Sequence, residues 1–420
     1  MIAALEARSM TRAAGAEEAD LIIVNTCGFL EEARQESIDV ILEFKAQYPG
    51  KRIIAAGCLS QRDGAQLSGI LPELDGVFGN RAPGRIGEVV NDTLDGRRPV
   101  LIPEIYENAP QGRPALSIPG SSYLKIAEGC DNRCSFCSIP LIRGGLRSRP
   151  AADIVTDATQ LIESGVREIN LIAQDLGSYG GEAGGVDFTG LLKAILEIPG
   201  HYWIRMLYIH PDKFPFDVLD ICESDSRLLP YFDIPIQHAS KRILMSMGRK
   251  GDAGAYSELI RSIRSRLADS VIRTTFLLGY PGENRRDFLD LQNFQRDVSF
   301  DWLGAFRYSR EKGTVAYSAG TFPGLVHHAK KSIIQARLDR VITAQQGISE
   351  SRLSRFLGKT LDVLIEEPIY QEKLFLGRIY AQAPEVDGLT VVRTEKADVG
   401  RFIRCKITKV NGIDLEAVPV

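Results

Sequence analysis

Residues 129–140 read GCDNRCSFCSIP. Cys130, Cys134 and Cys137 fall close together in a 420-residue chain that holds seven cysteines in all. In a reduced compartment such clustering points to metal ligation rather than disulfides. A structural zinc site closes with four ligands, usually as two well-spaced pairs. Here the C-x3-C-x2-C triplet has no fourth cysteine or histidine beside it, and the next cysteine, Cys222, sits in the helix-like run DVLDICESD. A cubane 4Fe–4S cluster normally takes four thiolates. With three, one iron keeps an open position, which is what a reaction needs when a substrate must bind the metal directly.

The surroundings of the triplet decide the fold. From Ser121 onward, strand-like runs (YLKIAEG, EINLIAQ, WIRMLYIH, YFDIPIQH, IRTTFLLGY, WLGAFRYS) alternate with helix-like runs such as ADIVTDATQLIESG and AYSELIRSIRSRLA. Six βα units predict a parallel barrel that is open or partial, since a closed TIM barrel has eight. Catalytic groups on such barrels sit at the carboxyl ends of strands, and the triplet directly follows the first strand. The later stretch FLLGYPGE, 276–283, places Gly279, Pro281, Gly282 and Glu283 at the end of the fifth strand, where glycines permit close backbone approach to a ligand.

On the amino-terminal side, ADLIIVNT before Cys27 and RIIAAGC ending at Cys58 read as strands flanking an amphipathic helix, FLEEARQESIDVILEFKAQYPG. This βαβ pattern predicts a doubly wound α/β domain. Both cysteines end parallel strands, where open α/β sheets bind ligands; two small buried hydrophobes are the plainer reading. Residues 103–120 carry four prolines and read as a linker. A long polar helix around 328–352 leads to a tail of short alternating strands, which predicts a small β-barrel. The domains expected are 1–108, 116–350 and 355–420.

The bulk composition, 44% hydrophobic, 25% charged and a formal net charge of −3, is that of a globular protein and argues against a general nucleic-acid binder. No apolar run is long enough for a bilayer, and MIAALEARSM lacks the layout of a secretory signal. The expected compartment is the cytoplasm.

C-x3-C-x2-C in an early barrel loop resembles the radical S-adenosylmethionine (SAM) superfamily. The resemblance implies that SAM completes the coordination of the fourth iron, and that an electron from the cluster splits a carbon–sulfur bond to give a 5′-deoxyadenosyl radical. Phe136, between the last two cysteines, matches a residue that packs near the adenine there; Gly279, Gly282 and Glu283 match the fifth-strand motif beside it. VNTCGFLEEARQESID, GCLSQR, AEGCDNRCSFCSIPLIRGGLRSRP, INLIAQDLGSYG, YFDIPIQHAS and FRYSREKGT together resemble the methylthiotransferases. That family joins an N-terminal α/β domain, a radical SAM partial barrel and a C-terminal TRAM domain. Its first domain contributes three cysteines to a second, auxiliary 4Fe–4S cluster that handles the sulfur; Cys27 and Cys58 match two of them. The first of the three lies on a segment preceding the helix that MIAALEARSM resembles, so the resemblance implies a start upstream of Met1, or else an auxiliary cluster with two protein ligands.

Two substrates compete within the family, an aspartate of small-subunit ribosomal protein S-twelve and a modified adenosine of tRNA. The quoted segments look like the ribosomal-protein branch. Charge agrees: residues 357–420 hold nine Lys+Arg and ten Asp+Glu, whereas a module gripping RNA phosphates should be basic. The reaction implied replaces a carbon–hydrogen bond at the aspartate β-carbon with carbon–S–CH3, and it needs an electron donor of flavodoxin-like type and a sulfur donor. Gln174 and Asp175 at the end of the second strand, and Gln237 and His238 at the end of the fourth, are expected to face the barrel mouth and contact SAM or substrate. Arg143, Arg147 and Arg149 read as carboxylate binders or solvated charge. His327 and His328 read as surface residues, and the glycine-rich loop 177–186 as a flexible segment. The reading from a different class, an iron–sulfur electron carrier without turnover of SAM, leaves the six βα units and the open iron unexplained.

Overall fold

Arg52–Gly57 is apolar at every position after the first because both of its faces are covered. A computed structural model, which describes residues 1–107, 118–181, 185–319, 329–369 and 372–420, places it inside a four-stranded parallel sheet. The strands are β1 (Leu21–Thr26), β2 (Arg52–Gly57), β3 (Gly76–Gly79) and β4 (Val100–Leu101), in that spatial order. Ile53 and Ala55 pack with Ile41, Leu59 and Leu67 from the helices Glu31–Gln47 and Cys58–Ile70. Ile54 and Ala56 face the other way, onto Ala4, Ile86, Val89 and Val90 of the helices Ile2–Glu6 and Ile86–Leu94. A strand covered on both sides has no reason to alternate. The expected boundaries shift slightly: Cys58 is the first residue of a helix rather than the last of a strand.

The six expected barrel strands are all present: β5 (Ser121–Lys125), β6 (Glu168–Ile172), β7 (Trp203–Met206), β8 (Leu228–Asp233), β9 (Val271–Leu278) and β10 (Trp302–Arg307). They pair in parallel and in chain order, with β5 and β10 as the two edges of an open sheet. Leu124, Ile169, Ile204, Phe232, Ile272 and Phe276 share one core under the surrounding helices. All six strands end before the runs quoted for them do. The run YFDIPIQH leaves the sheet after Asp233, because Pro235 has no N–H to offer the ladder. Beyond it the chain stays tied to β9, with Ile234 N donating to Arg273 O at 2.8 Å and an isolated bridge between Gln237 and Phe276.

The tail closes into a barrel of β11 (Thr360–Ile369), β12 (Leu374–Arg378), β13 (Thr390–Arg393), β14 (Phe402–Asn411) and β15 (Asp414–Pro419), in the order β11-β12-β13-β15-β14. Its docking explains the residues on the other face of the large sheet. Trp203, Tyr231, Val271 and Trp302 share one apolar cluster with Ile379, Ala381 and Ala383 of the tail. Trp302 Nε1 donates to Ala381 O at 2.7 Å, and Tyr231 Oη to Asp387 at 2.6 Å. Fully buried Glu168 joins the two bodies. It accepts from Arg205 of β7 at 2.8 and 2.9 Å, from Arg378 of β12 at 2.5 and 3.1 Å, and from Ser121 Oγ at 2.8 Å. Among the described residues no helix is long and apolar enough to cross a membrane.

Burial alone would raise the Glu168 carboxyl, but the Arg378 and Arg205 guanidinium groups bring it down to about 2. A lowered carboxyl stabilises the fold above its unfolded value, and that contribution disappears as pH falls through the folded one. The barrel–tail interface is therefore expected to weaken between about pH 4.5 and about pH 2. Glu168→Ala leaves two buried guanidinium groups without their carboxylate, a loss of about 3–5 kcal/mol. Calorimetry should show a lower melting temperature; an unchanged melt would refute this role.

Candidate active site

After β5 the chain forms a short ladder, Ala127–Glu128 against Arg147–Ser148, which brackets the cysteine loop. The loop is pinned inside this bracket. Cys130 N donates to Gly144 O at 3.2 Å and Cys137 N to Cys134 O at 3.1 Å. Gly129 has no room for a side chain, since a Cβ there would lie 2.0 Å from Gly145 O. All three thiols are half-buried. Burial raises the Cys130 thiol and pushes Cys137 up to about 12, with the neighbouring cysteines adding to each effect. A metal displaces such protons on binding. Among the described residues no three His, Cys, Asp or Glu side chains converge tightly enough for a single metal ion. A cubane spreads its ligands one per iron.

Polar groups from neighbouring strands converge on this loop. Asp175, buried at the end of β6, accepts from Asn132 Nδ2 at 2.7 Å and from His210 N at 3.1 Å. His210 Nε2 lies 4.0 Å from Cys134 Sγ. Burial and the Arg249 charge bring the His210 imidazole down to about 4, so it is neutral. Gln174 Nε2 reaches Glu128 at 3.5 Å, while its Oε1 is buried without a partner. Buried Arg249 likewise has Nε and Nη1 without partners. Tyr208 and Gln237, which follow adjacent strands β7 and β8, both hold left-handed backbones (φ 68° and 73°). Such strain in residues other than glycine concentrates at functional sites.

His210, Tyr208 and Arg249 were not singled out by sequence. The rule that selected residues 174–175 and 237–238, position at a strand's carboxyl end, applies equally to His210. Arg149, by contrast, pairs with Asp157 at 2.6 Å and is held by local structure, and Arg147 donates to Arg143 O at 2.7 Å. His327 and His328 lie outside the described residues, as do residues 182–184 of the glycine-rich loop.

The space beside Gly279 is filled by Ile334 of the helix Lys331–Leu353: a Cβ would meet it at 2.5 Å. Glu283 is buried, accepting from Gly279 N at 2.6 Å and pairing with Arg337. His238 lies close by. It is fully buried, its Nδ1 accepts from Ala239 N (2.9 Å) and Ser240 N (3.0 Å), and Nε2 stands 3.9 Å from Glu283. Gly282 O accepts from Arg242 at 2.7 Å. Ile334 and Arg337 of the helix Lys331–Leu353 thus pack against the end of β9. Gln237 is half-buried, with its backbone hydrogen-bonded to Thr275 and Leu277. Phe136 packs against Met247, Leu277 and Tyr280.

The first domain brings its cysteines to this mouth. Cys27 follows β1 and Cys58 follows β2, and the Gly28 backbone abuts that of Cys58. Cys58 Sγ accepts from Asn80 Nδ2 and from Arg143 Nη2, each at 3.1 Å. Arg143 ends the helix that follows the triplet and also pairs with Glu128. One guanidinium thus links Cys58 to Glu128, two residues before Cys130. Buried Glu311 holds the domains together, pairing with Arg34 and Arg62 of the first domain. Arg81 Nε adds a hydrogen bond to Ile142 O at 3.0 Å.

Residues 1–79 match the UPF0004 family, 124–294 the radical SAM superfamily and 357–420 the TRAM domain. A protein of Treponema denticola, ribosomal protein uS12 methylthiotransferase RimO, is 40% identical over 100% of this chain and 97% of its own. The chain belongs to the RimO methylthiotransferase family. A Syntrophomonas wolfei protein of the same name is also 40% identical, over 99% of this chain and 94% of its own. Among solved structures, the radical SAM methyltransferase TsrM of Kitasatospora setae, with cobalamin and a 4Fe–4S cluster bound, gives a TM-score of 0.51 at 15% identity, covering 70% of this chain and 65% of that one. That likeness establishes the fold of the core. As a RimO-family member the chain is a radical SAM transferase whose cofactors are SAM and 4Fe–4S clusters. The clustered thiols and the orphaned polar atoms of Gln174 and Arg249 fit such a group.

Glu311→Ala removes the acceptor shared by Arg34 and Arg62, a loss of about 1.5–3 kcal/mol in docking. Amide exchange in β1 and β2 should then rise at least about tenfold, with the large barrel unaffected. Equal protection in variant and wild type would show that the domains dock by other contacts.

Proposed function

We propose that this chain attaches a methylthio group to the β-carbon of an aspartate in ribosomal protein uS12. Cys130, Cys134 and Cys137 hold the cluster that binds SAM, and Cys27 and Cys58 are ligands of the auxiliary cluster. The carrying observation is Arg143, whose two ends contact Cys58 and Glu128 and so keep sulfur delivery beside radical generation. When bound, SAM and the reducing cluster supply the radical that removes hydrogen from carbon. The β-hydrogen of an ionised aspartate is poorly acidic, so ordinary acid–base catalysis offers little.

The chain's own residues orient and shield. Asp175 ties the cysteine loop, through Asn132, to the end of β7, through His210. Neutral His210 fills space next to Cys134 without adding positive charge. The balanced charge of residues 357–420 suits a basic ribosomal protein better than an RNA backbone. An electron donor of flavodoxin-like type and a separate sulfur donor complete the reaction, which we assign to the cytoplasm, where ribosomes are available.

Mass spectrometry of ribosomal proteins and tRNA from a strain lacking this gene tests the substrate. Loss of a methylthio group from uS12 alone is expected; loss from tRNA alone would overturn the reading. In the purified, reconstituted protein, Cys134→Ala should abolish 5′-deoxyadenosine release from SAM under reducing conditions, and persistent release would remove the triplet from the chemistry.

A further inference from the structure

Inward and outward side chains alternate along each strand of the large sheet. Leu124 packs under the helices, whereas Tyr123 joins the apolar cluster that faces the tail. Lys125, two positions on, therefore faces the lumen at the carboxyl end of β5. The other inward cations of the described strands are Arg205 and Arg273, and both are committed. Arg205 is fully buried on Glu168 and Tyr380 O. Arg273 lies between Asp233 at 3.6 Å and Asp387 at 3.4 Å. The tail closes the amino ends of the strands, with Gly400 against Gly120 and Phe402 against Trp203. Lys125 stands at the opposite, open end.

The Lys125 ammonium is tied to the cysteine loop and still has donors to spare. Its Nζ donates to Glu128 at 2.6 Å, and buried Glu128 also pairs with Arg143. That is the one hydrogen bond Lys125 makes among the described residues, whereas an ammonium has three donors. Its side chain is 42% exposed, against 6% for Glu128. By the same alternation Ile172, Thr275, Gly304 and Phe306 face the accessible part of the lumen, and none of them carries a charge. An anchored cation with free donors in an uncharged wall is a seat for an anionic side chain.

We propose that Lys125 holds the side-chain carboxylate of the target aspartate and so aims its β-carbon at the site beside the triplet. This rests on the functional reading above, in which the substrate is an aspartate of uS12. The β-carbon carries two hydrogens, the carboxylate and the backbone Cα. Holding the carboxylate at Lys125 while the substrate backbone is held elsewhere fixes the direction of both hydrogens, as selective removal of one requires. No bond to the carboxylate forms or breaks, so Lys125 is a binding and positioning residue. Glu128, two residues before Cys130, ties that position to the cysteine loop. An asparagine in place of the aspartate offers the ammonium only a neutral acceptor, which is worth less.

The experiment compares Kd values in a two-by-two design. Wild-type and Lys125→Gln protein, anaerobic, cluster-loaded and with SAM present, are titrated with purified uS12. The same titration uses uS12 whose target aspartate, located by the mass spectrometry above, is replaced by asparagine. Wild type is expected to bind the aspartate form at least about tenfold more tightly, the value of one charged hydrogen bond. Lys125→Gln should lower the aspartate form to the affinity of the asparagine form, which it changes less than about twofold. Lys125→Arg, which keeps the charge, should restore part of the preference. A wild type indifferent to the exchange, or a preference preserved in Lys125→Gln, overturns the proposal and leaves the reading standing, provided uS12 is still modified. Equal losses for both forms of uS12 overturn it too, since a structural role or a contact to SAM would act on both alike. A wild type that modifies tRNA and not uS12 removes the reading, and the proposal with it.

Discussion

The ion pair between Arg143 and Glu128 is the constraint on which the arrangement of the mouth depends. Glu128 stands just before the first cysteine of the triplet, and Arg143 ends the helix that follows the last. The pair therefore closes the cysteine loop at its base, alongside the short ladder of Ala127–Glu128 with Arg147–Ser148. The same guanidinium donates to Cys58 Sγ at 3.1 Å. Closing the loop and docking the first domain are thus one event, and hydrogen bonds to ligand sulfur are a recognised means of tuning iron–sulfur groups. The Glu311 pairs with Arg34 and Arg62 act some distance along the same seam and fix its orientation.

Opposite this seam the tail barrel does for the large sheet what helices do elsewhere. An open six-stranded sheet leaves one face without its own cover, and the polar and aromatic residues there need partners. Arg205 finds Glu168 and Tyr380 O, Tyr231 finds Asp387, and Trp302 finds Ala381 O. The tail is therefore part of the core architecture, whichever macromolecule its outer surface meets.

Much of this was legible in the sequence, for identifiable reasons. Continuous apolar runs, helical periodicity and strand-end cysteines are local signals, so the βαβ unit, the six strands and both cysteine sets could be read directly. What escaped depends on contacts distant in sequence. Arg249 is buried just after the Ser246 and Met247 carbonyls, which accept from Ser135, 111 positions before Ser246. Glu283 obeys the strand-end rule, but its partners, Arg337 of a later helix and His238, lie far from it in sequence. The charged residues of the strands, Glu168 and Arg205, carried a signal that was passed over: charge inside an apolar run announces a buried partner.

The proposed function requires that two separate cysteine sets, linked across the domain seam through Arg143, each hold a cluster. Iron and sulfide analysis with EPR of anaerobically reconstituted protein tests it most directly, comparing wild type with a variant lacking Cys130, Cys134 and Cys137 and with one lacking Cys27 and Cys58. About eight irons per chain are expected in the wild type, two cubanes, and a loss of about four in each variant, with the surviving cluster's reduced spectrum changed by removal of a magnetic neighbour. Full iron retention in either variant, or a surviving spectrum indifferent to the loss of the other set, would contradict it.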